Sequence, residues 1–437
     1  MRGLLSFAIC LSVIVSSFAI VNAVSIRDVE DVQVKVEVNP KSPAETDLHL
    51  VYTREYTDDV KTTDWMNYSG HRYLAVGTNN QRIEVYKYDI SAEMLVMLDM
   101  QVMLTDVNCV DWLLVGGEIY LAAGCDDDLG GEDIFVYQFD PIGNILTLVD
   151  NEYNDNDVYS VDWLIFNGAS YLAVGSDYGF DELKVYIFNN VTKSLILVDI
   201  NNMIGDIYSV NWHIIDGEAY LAAGGSSTTR EITVFKFESE QLITMDNYDF
   251  FGSVYSVNWQ IIDGQAYLAA GVATNPMDEI LVFKFDSITG SLLLMASWND
   301  GDDIRTVAWL EREGRYFLAT GGDYGTRELQ IFEYDNTTAV LSLINMRDRG
   351  DRARTCSWSH DGEYLAVGGD APSGPELELY KFVFETSTTV TLTQKWNLIS
   401  FPLMNPKING TQIFKAEDIY NEINCGELAI WDAATQA

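Results

Sequence analysis

The sequence predicts an all-β protein, a seven-bladed β-propeller of four-stranded antiparallel blades, with a short incomplete C-terminal β module after it. Three observations predict this. One sentence is written repeatedly, for example "DVYSVDWLIFNGASYLAVGSDYGFDELKVYIFN" from Asp157 and "DIYSVNWHIIDGEAYLAAGGSSTTREITVFKFE" from Asp206. Its copies are anchored at Trp65, Trp112, Trp163, Trp212, Trp259, Trp309 and Trp358, 47 to 51 residues apart, and a fixed period of that size marks an array or a ring. Within each copy the apolar residues alternate with period two, and β-branched and aromatic residues dominate, as strands prefer.

Each copy supplies four strands in order. The first ends at the Trp. A turn such as "IDGE" or "FNGA" follows, with Gly where positive φ is needed. The second strand is "YLAAG" or "YLAVG", whose small residues let neighbouring sheets approach closely. A variable polar loop leads to the third, such as "ELKVYIF", and the fourth is a run such as "LILVDINN". Four short strands cannot cover both of their faces, whereas radial stacking covers both and leaves only short edges. Residues 48–56, "LHLVYTREY", precede the first copy and are a surplus fourth strand. They are expected to form the outermost strand of the seventh blade and so to close the ring.

The pattern V-x-W-x-x-x-(D/G)-G-x-x-Y-L-A-x-G with an aromatic third strand resembles the WD-repeat family over residues 48–388. The resemblance implies the propeller architecture. Tyr-Lys-Tyr-Asp or Phe-Lys-Phe-Glu stands where that family ends its third strand in Trp-Asp. Kelch repeats are the nearest rival, but they place a Gly-Gly doublet after the apolar strand with the Trp downstream, and here the Trp lies upstream. The tail, residues 389–437, contains "WNLISFP" and "WDAATQ". It resembles the start of a module met in secreted bacterial and archaeal proteins, with Trp396, Pro402 and Trp431 at the matching places.

Residues 1–23 place one Arg before a long apolar run that ends at Ala23, the layout of a cleaved secretory signal peptide. Residues 24–47 read as a linker. The expected location is therefore secreted, or at the cell surface or in the periplasm, with no membrane span after cleavage. Against 26 basic residues stand 66 acidic ones, a net charge of −40. That field excludes nucleic acid as a partner. Cys10, Cys109, Cys125, Cys356 and Cys425 form no CxxC spacing, and four His are too few for a multi-histidine metal site. Cys109 and Cys125 flank one hairpin and read either as a cross-strand disulfide or as core thiols. The N-x-S/T triplets at Asn67, Asn190, Asn336 and Asn409 matter only in a eukaryotic host.

No Gly-x-Ser-x-Gly elbow, phosphate loop or HExxH is present, so no catalytic residues are assigned. The loop "CDDDLGGED" gathers Asp126, Asp127, Asp128 and Asp133, a calcium candidate, but with no DxDxDG spacing it reads first as a solvated loop whose Asp side chains bond nearby backbone amides. Asp59, Asp106, Asp157, Asp206 and Asp303, six residues before the Trp, read as turn formers. Four residues before each Trp stand Lys61, Asn108, Tyr159, Tyr208, Tyr255, Arg305 and Arg354. This position falls near the channel mouth, with Arg347, Arg349 and Arg352 close by. The expected binding residues are Tyr159, Tyr208, Tyr255, Arg305, Arg352, Arg354 and Lys61, a Tyr arc facing a basic arc. The competing reading makes the Tyr rings an extension of the core and pairs the Arg side chains with Asp348 and Asp351. The expected function is a secreted, non-enzymatic, monomeric platform for a protein or extracellular ligand. The alternatives are an extracellular hydrolase or lactonase-like enzyme with a metal in the channel, and a cell-surface structural protein.

Overall fold

The computed structural model describes residues 47–383 apart from 128–130, 155, 178, 180, 204, 227–229, 251, 274–277, 324–326 and 371–373, together with seven short strands outside that span. The chain forms two compact units, Leu48–Phe382 and the two ends, Met1–Asp47 with Val383–Ala437. The first is a seven-bladed β-propeller of four-stranded antiparallel sheets. In blade 3 the strands are Val158–Phe166, Ala169–Ser176, Leu183–Asn189 and Ser194–Asn201. Blades 1, 2, 4, 5 and 6 repeat this, their first strands being Val60–Tyr68, Val107–Val115, Ile207–Ile215, Val254–Ile262 and Ile304–Arg312. Blade 7 contributes Ala353–Trp358, Tyr364–Gly369 and Leu377–Val383, and its fourth strand is Asp47–Arg54 from the other end of the chain. The ring thus closes as expected, and the Arg347 guanidinium donates to the Leu48 carbonyl on that closing strand.

The hairpins follow the turn chemistry. Asp216 (φ 53°) and Gly217 (φ 83°) both take positive φ, the two-residue turn whose twist suits antiparallel strands. The Gly that ends the second strand has a different task. A Cβ on Gly175 would lie 2.6 Å from Ile207 of the next blade, and one on Gly271 would lie 2.7 Å from Ile304. Only a hydrogen fits there, which is why each copy writes A-x-G.

Among the described residues, six of the seven seams between blades hold an aromatic triad, and Tyr88 meets Tyr364 at the closing one. Trp163 packs edge-on against Phe188 of its own third strand at 5.5 Å, and Tyr120 of blade 2 packs on the same Phe188 at 4.9 Å. Trp212, Phe237 and Tyr171 repeat this, as do Trp259, Phe285 and Tyr220. Edge-to-face rings add to simple area burial, and the triad explains why Trp, Tyr and a third-strand aromatic recur together.

The second unit is described only as short strands. Ile9–Leu11 pairs with Asn22–Ile26, which pairs in turn with Leu428–Asp432 and sets Ala23 opposite Trp431. Val34–Glu37 pairs with Thr389–Leu392, and Lys407–Ile408 with Thr411–Gln412. Most of the expected leader, linker and tail module, including Trp396 and Pro402, lies outside the described residues. Among the described residues no helix is long and apolar enough to cross a membrane.

Candidate binding rim

The first strand of each blade lies innermost and is an edge strand. Its alternate N–H groups point inward with no strand to receive them, and unpaired backbone donors are costly. The preceding blade supplies the acceptors. The N–H groups of Trp112, Trp163 and Trp212 donate to Asp64, Asp111 and Asp162 at 3.0, 2.6 and 2.5 Å, and those of Trp259 and Trp309 donate to Asn211 and Asn258 at 2.9 Å each. Two residues upstream, the N–H groups of Val210, Val257 and Val307 donate to the hydroxyls of Ser160, Ser209 and Ser256 at 3.0, 3.0 and 3.1 Å. Thr62, Thr306 and Thr355 do the same for Val110, Cys356 and Thr63. Cys109 holds the corresponding place in blade 2, where burial pushes its thiol up. Cys109, Cys125 and Cys356 are free thiols, and Gly124, not Cys125, pairs with Cys109 across the hairpin. The core-thiol reading holds, and the disulfide is corrected by that register.

Carboxylates recur at two further seams. An acidic residue just before the third strand receives the backbone of the incoming loop: Asp133 from Asn154, Glu182 from Met203, Glu231 from Phe250, Glu279 from Asp300 and Glu328 from Arg349. At the fourth-strand bulges, Asp99, Asp150, Asp199 and Asp246 receive the N–H groups of Leu146, Leu195, Leu242 and Leu292 from the next blade. Much of the acidic excess is therefore structural. Of the loop weighed for calcium, Asp133 is buried and engaged as above, and the Asp126 carboxylate receives Asn108 at 2.6 Å. The Asp127 N–H donates to Asp157, and Asp128 lies outside the described residues. Among the described residues no group of three or more His, Cys, Asp or Glu is placed to hold a metal ion.

The strand starts and the loops after the second strands meet at one end of the ring. There the N–H groups of Asp177 and Asp323 donate to the carbonyls of Asp157 and Asp303 at 2.9 and 3.1 Å. The position four before the Trp forms a continuous band at this end. Tyr159 and Tyr208 lie 5.4 Å apart at 48°, and Tyr208 and Tyr255 lie 5.5 Å apart at 42°. The Arg305 guanidinium sits 3.9 Å above the Tyr255 ring. The Tyr and Arg arcs thus adjoin at the seam between blades 5 and 6 and do not only face each other. Lys61 donates to Asn108 at 3.2 Å on the other side.

The basic arc is already supplied with carboxylates. Arg305 donates to Asp323 at 2.7 Å and to Asp303 at 2.9 Å. Arg354 engages Asp370 and lies 3.5 Å from Asp59, and Arg352 lies 3.8 Å from Asp323 and 3.7 Å from Asp370. Asp348 and Asp351, named as partners in the competing reading, instead receive the N–H groups of Gly350 and Arg352. Arg349 leaves the rim altogether and is buried against Glu378. Burial and the nearby Asp370 charge push Asp59 up to about 6, with Arg354 opposing. The tyrosines are half-buried, neither sealed in the core nor free of it. Burial raises the Tyr159 phenol, helped by the charges of Asp177, Asp157 and Asp206.

The inner carboxylates behave differently from the rim. Burial pushes Asp162 up to about 8, against the Trp212 N–H. Asp111 is raised by burial and by Asp162 and Asp64 on either side, and Asp64 is raised by burial. Sequence reading passed over these residues, though the signal was present in "DW", "DW", "DW", "NW", "NW" down the copies.

The fold defines the class: a seven-bladed β-propeller with an aromatic and charged rim. No protein-family model matches the chain, and no curated protein matches it.

Proposed function

We propose that this protein is a non-enzymatic binding platform, acting in secreted form or at the cell surface or in the periplasm, that receives a protein or extracellular ligand on the Tyr-bearing rim. One observation carries the reading. Three tyrosines lie in tilted ring contact across three consecutive blades, half-buried, on a ring whose seams fix their spacing. Tyr is a residue that dominates interface energetics because it offers large area at low ordering cost. The WD-repeat resemblance agrees with this reading. A propeller fold by itself does not assign function, so the argument rests on the rim. The test is capture from culture medium with wild type, a Tyr159→Ala/Tyr208→Ala variant and an Ile142→Ser variant. Ile142 is 93% exposed on the turn between the third and fourth strands of blade 2, away from the rim. Loss of captured partners in the Tyr variant alone supports the reading, and equal capture by all three overturns it.

A further inference from the structure

Six of the seven seams carry the aromatic triad, and the seventh, where blade 7 meets blade 1, is held differently. Its aromatic contact is Tyr88 against Tyr364 at 4.5 Å. Among the described residues, ion pairs cross this seam at four places. At the rim Arg354 lies 3.5 Å from Asp59. At the opposite end, Arg72 donates from Nε to Asp361 at 2.7 Å and from a terminal nitrogen to Glu363 at 2.6 Å, with its guanidinium 5.0 Å over the Tyr364 ring. Arg54 on the closing strand lies 3.4 Å from the buried Glu84 of blade 1. Lys381 of blade 7 lies 3.9 Å from Glu93, on the turn into the fourth strand of blade 1.

We propose that the closing seam is a salt-sensitive latch, the place where the ring opens first as ionic strength rises. The closing strand belongs to blade 7 by hydrogen bonds and to blade 1 by the chain, so the seam can open without stretching a covalent connection. Ring packing in the other seams is not screened by ions, whereas partly exposed ion pairs are. The side chains of Arg54, Arg354 and Lys381 are 30%, 27% and 30% exposed, so solvent ions reach them. The net charge of −40 acts in the opposite sense. Salt relieves that self-repulsion and tightens the ring as a whole. Salt therefore has one sign at the closing seam and the other sign elsewhere.

Backbone amides that donate across the seams report their opening. The Thr63 N–H donates to the Thr355 hydroxyl at 3.3 Å, and the Tyr56 N–H donates to Glu376, both at the closure. The N–H groups of Trp163 and Trp212 donate to Asp111 and Asp162 at two triad seams and serve as the control. The test is hydrogen exchange read by mass spectrometry on the full chain, with sodium chloride raised from about 0.05 M to about 1 M. Exchange in peptides covering Tyr56 and Thr63 is expected to speed up by about fivefold, while those covering Trp163 and Trp212 slow or stay the same. Arg72→Met is expected to speed exchange at the closure already at low salt and to shrink its salt dependence. Glu363→Gln, which keeps size at a partly exposed site, decides the matter in the same way if the Met variant does not fold. Equal salt effects at the closure and at the triad seams overturn the proposal. So does a salt dependence at the closure that neither variant reduces.

Discussion

Two sectors of the rim carry the same backbone and opposite chemistry. In blades 6 and 7, Arg305 and Arg354 stand four before the Trp and are held by Asp303, Asp323, Asp370 and Asp59. In blades 3 to 5 the same position holds Tyr159, Tyr208 and Tyr255, in tilted ring contact along a row. The seams below both sectors are alike: the Trp309–Tyr334 pair mirrors Trp163–Phe188 at 5.8 against 5.5 Å. The ring is therefore indifferent to what this position holds. Specificity is free to vary there, because the residue is not needed to satisfy a backbone group or to fill a seam.

The sharpest way to break the comparison is to open the ring beneath it. Leu48 on the closing strand is 2% exposed. Leu48→Asp is expected to cost about 3 kcal/mol or more, from a lost core side chain and a buried charge. Denaturant unfolding should show both sectors losing stability together, whereas loss confined to blade 7 contradicts a cooperative ring. A similar test spares polarity. Gly271→Ala forces a Cβ against Ile304 and should cost about 1–3 kcal/mol by overpacking, again read by denaturant unfolding.

The inner seams offer a natural control. Asp64, Asp111 and Asp162 accept from the Trp N–H groups in blades 1 to 3, and Asn211 and Asn258 do so in blades 4 and 5. A carboxyl in the unfolded chain ionises near pH 4, whereas Asp162 in the fold is pushed up to about 8. Between those values the folded chain binds more protons than the unfolded one, so stability falls as pH rises through that window. Asp162→Asn keeps an acceptor and removes the charge. It is expected to raise Tm at pH 8 by about 1–2 °C, the shift that roughly 1 kcal/mol gives in a ring of this size, and to change little at pH 4. Thermal unfolding at the two pH values checks this, and an equal effect at both contradicts it.

A smaller effect separates the rim sectors themselves. Arg305→Ala removes the guanidinium that donates to both Asp303 and Asp323 and should destabilise by about 1–2 kcal/mol. Tyr159→Ala removes a half-buried ring at the rim and should cost about 1 kcal/mol or less. Equal costs in urea unfolding would mean that the tyrosines are core after all.

The ring was legible in the sequence because its cause is periodic. Seven Trp at one spacing, a Gly turn and a Y-L-A-x-G strand specify blades, and residues 48–56 supply a strand with no other place to pair. The acceptor ladders were not legible for a specific reason. The residue before each Trp serves the next blade's backbone, and which N–H groups are left unpaired depends on the register between blades rather than on any one copy. The same gap misdirected the Arg partners. Asp348 and Asp351 are near in sequence, whereas Asp323 and Asp370 come from loops after second strands that the fold brings to the same rim. The Tyr position was legible by its repetition, but its adjoining contact with Arg305 appears only once consecutive blades are set side by side.

The claim that the Tyr sector is the binding face is tested most directly by crosslinking. A photoreactive benzoylphenylalanine placed singly at Tyr159, Arg354 and Ile142 reports which surface a partner touches. The account predicts crosslinked product from position 159, little from 354 and none from 142. Product from 142 with none from 159 contradicts it.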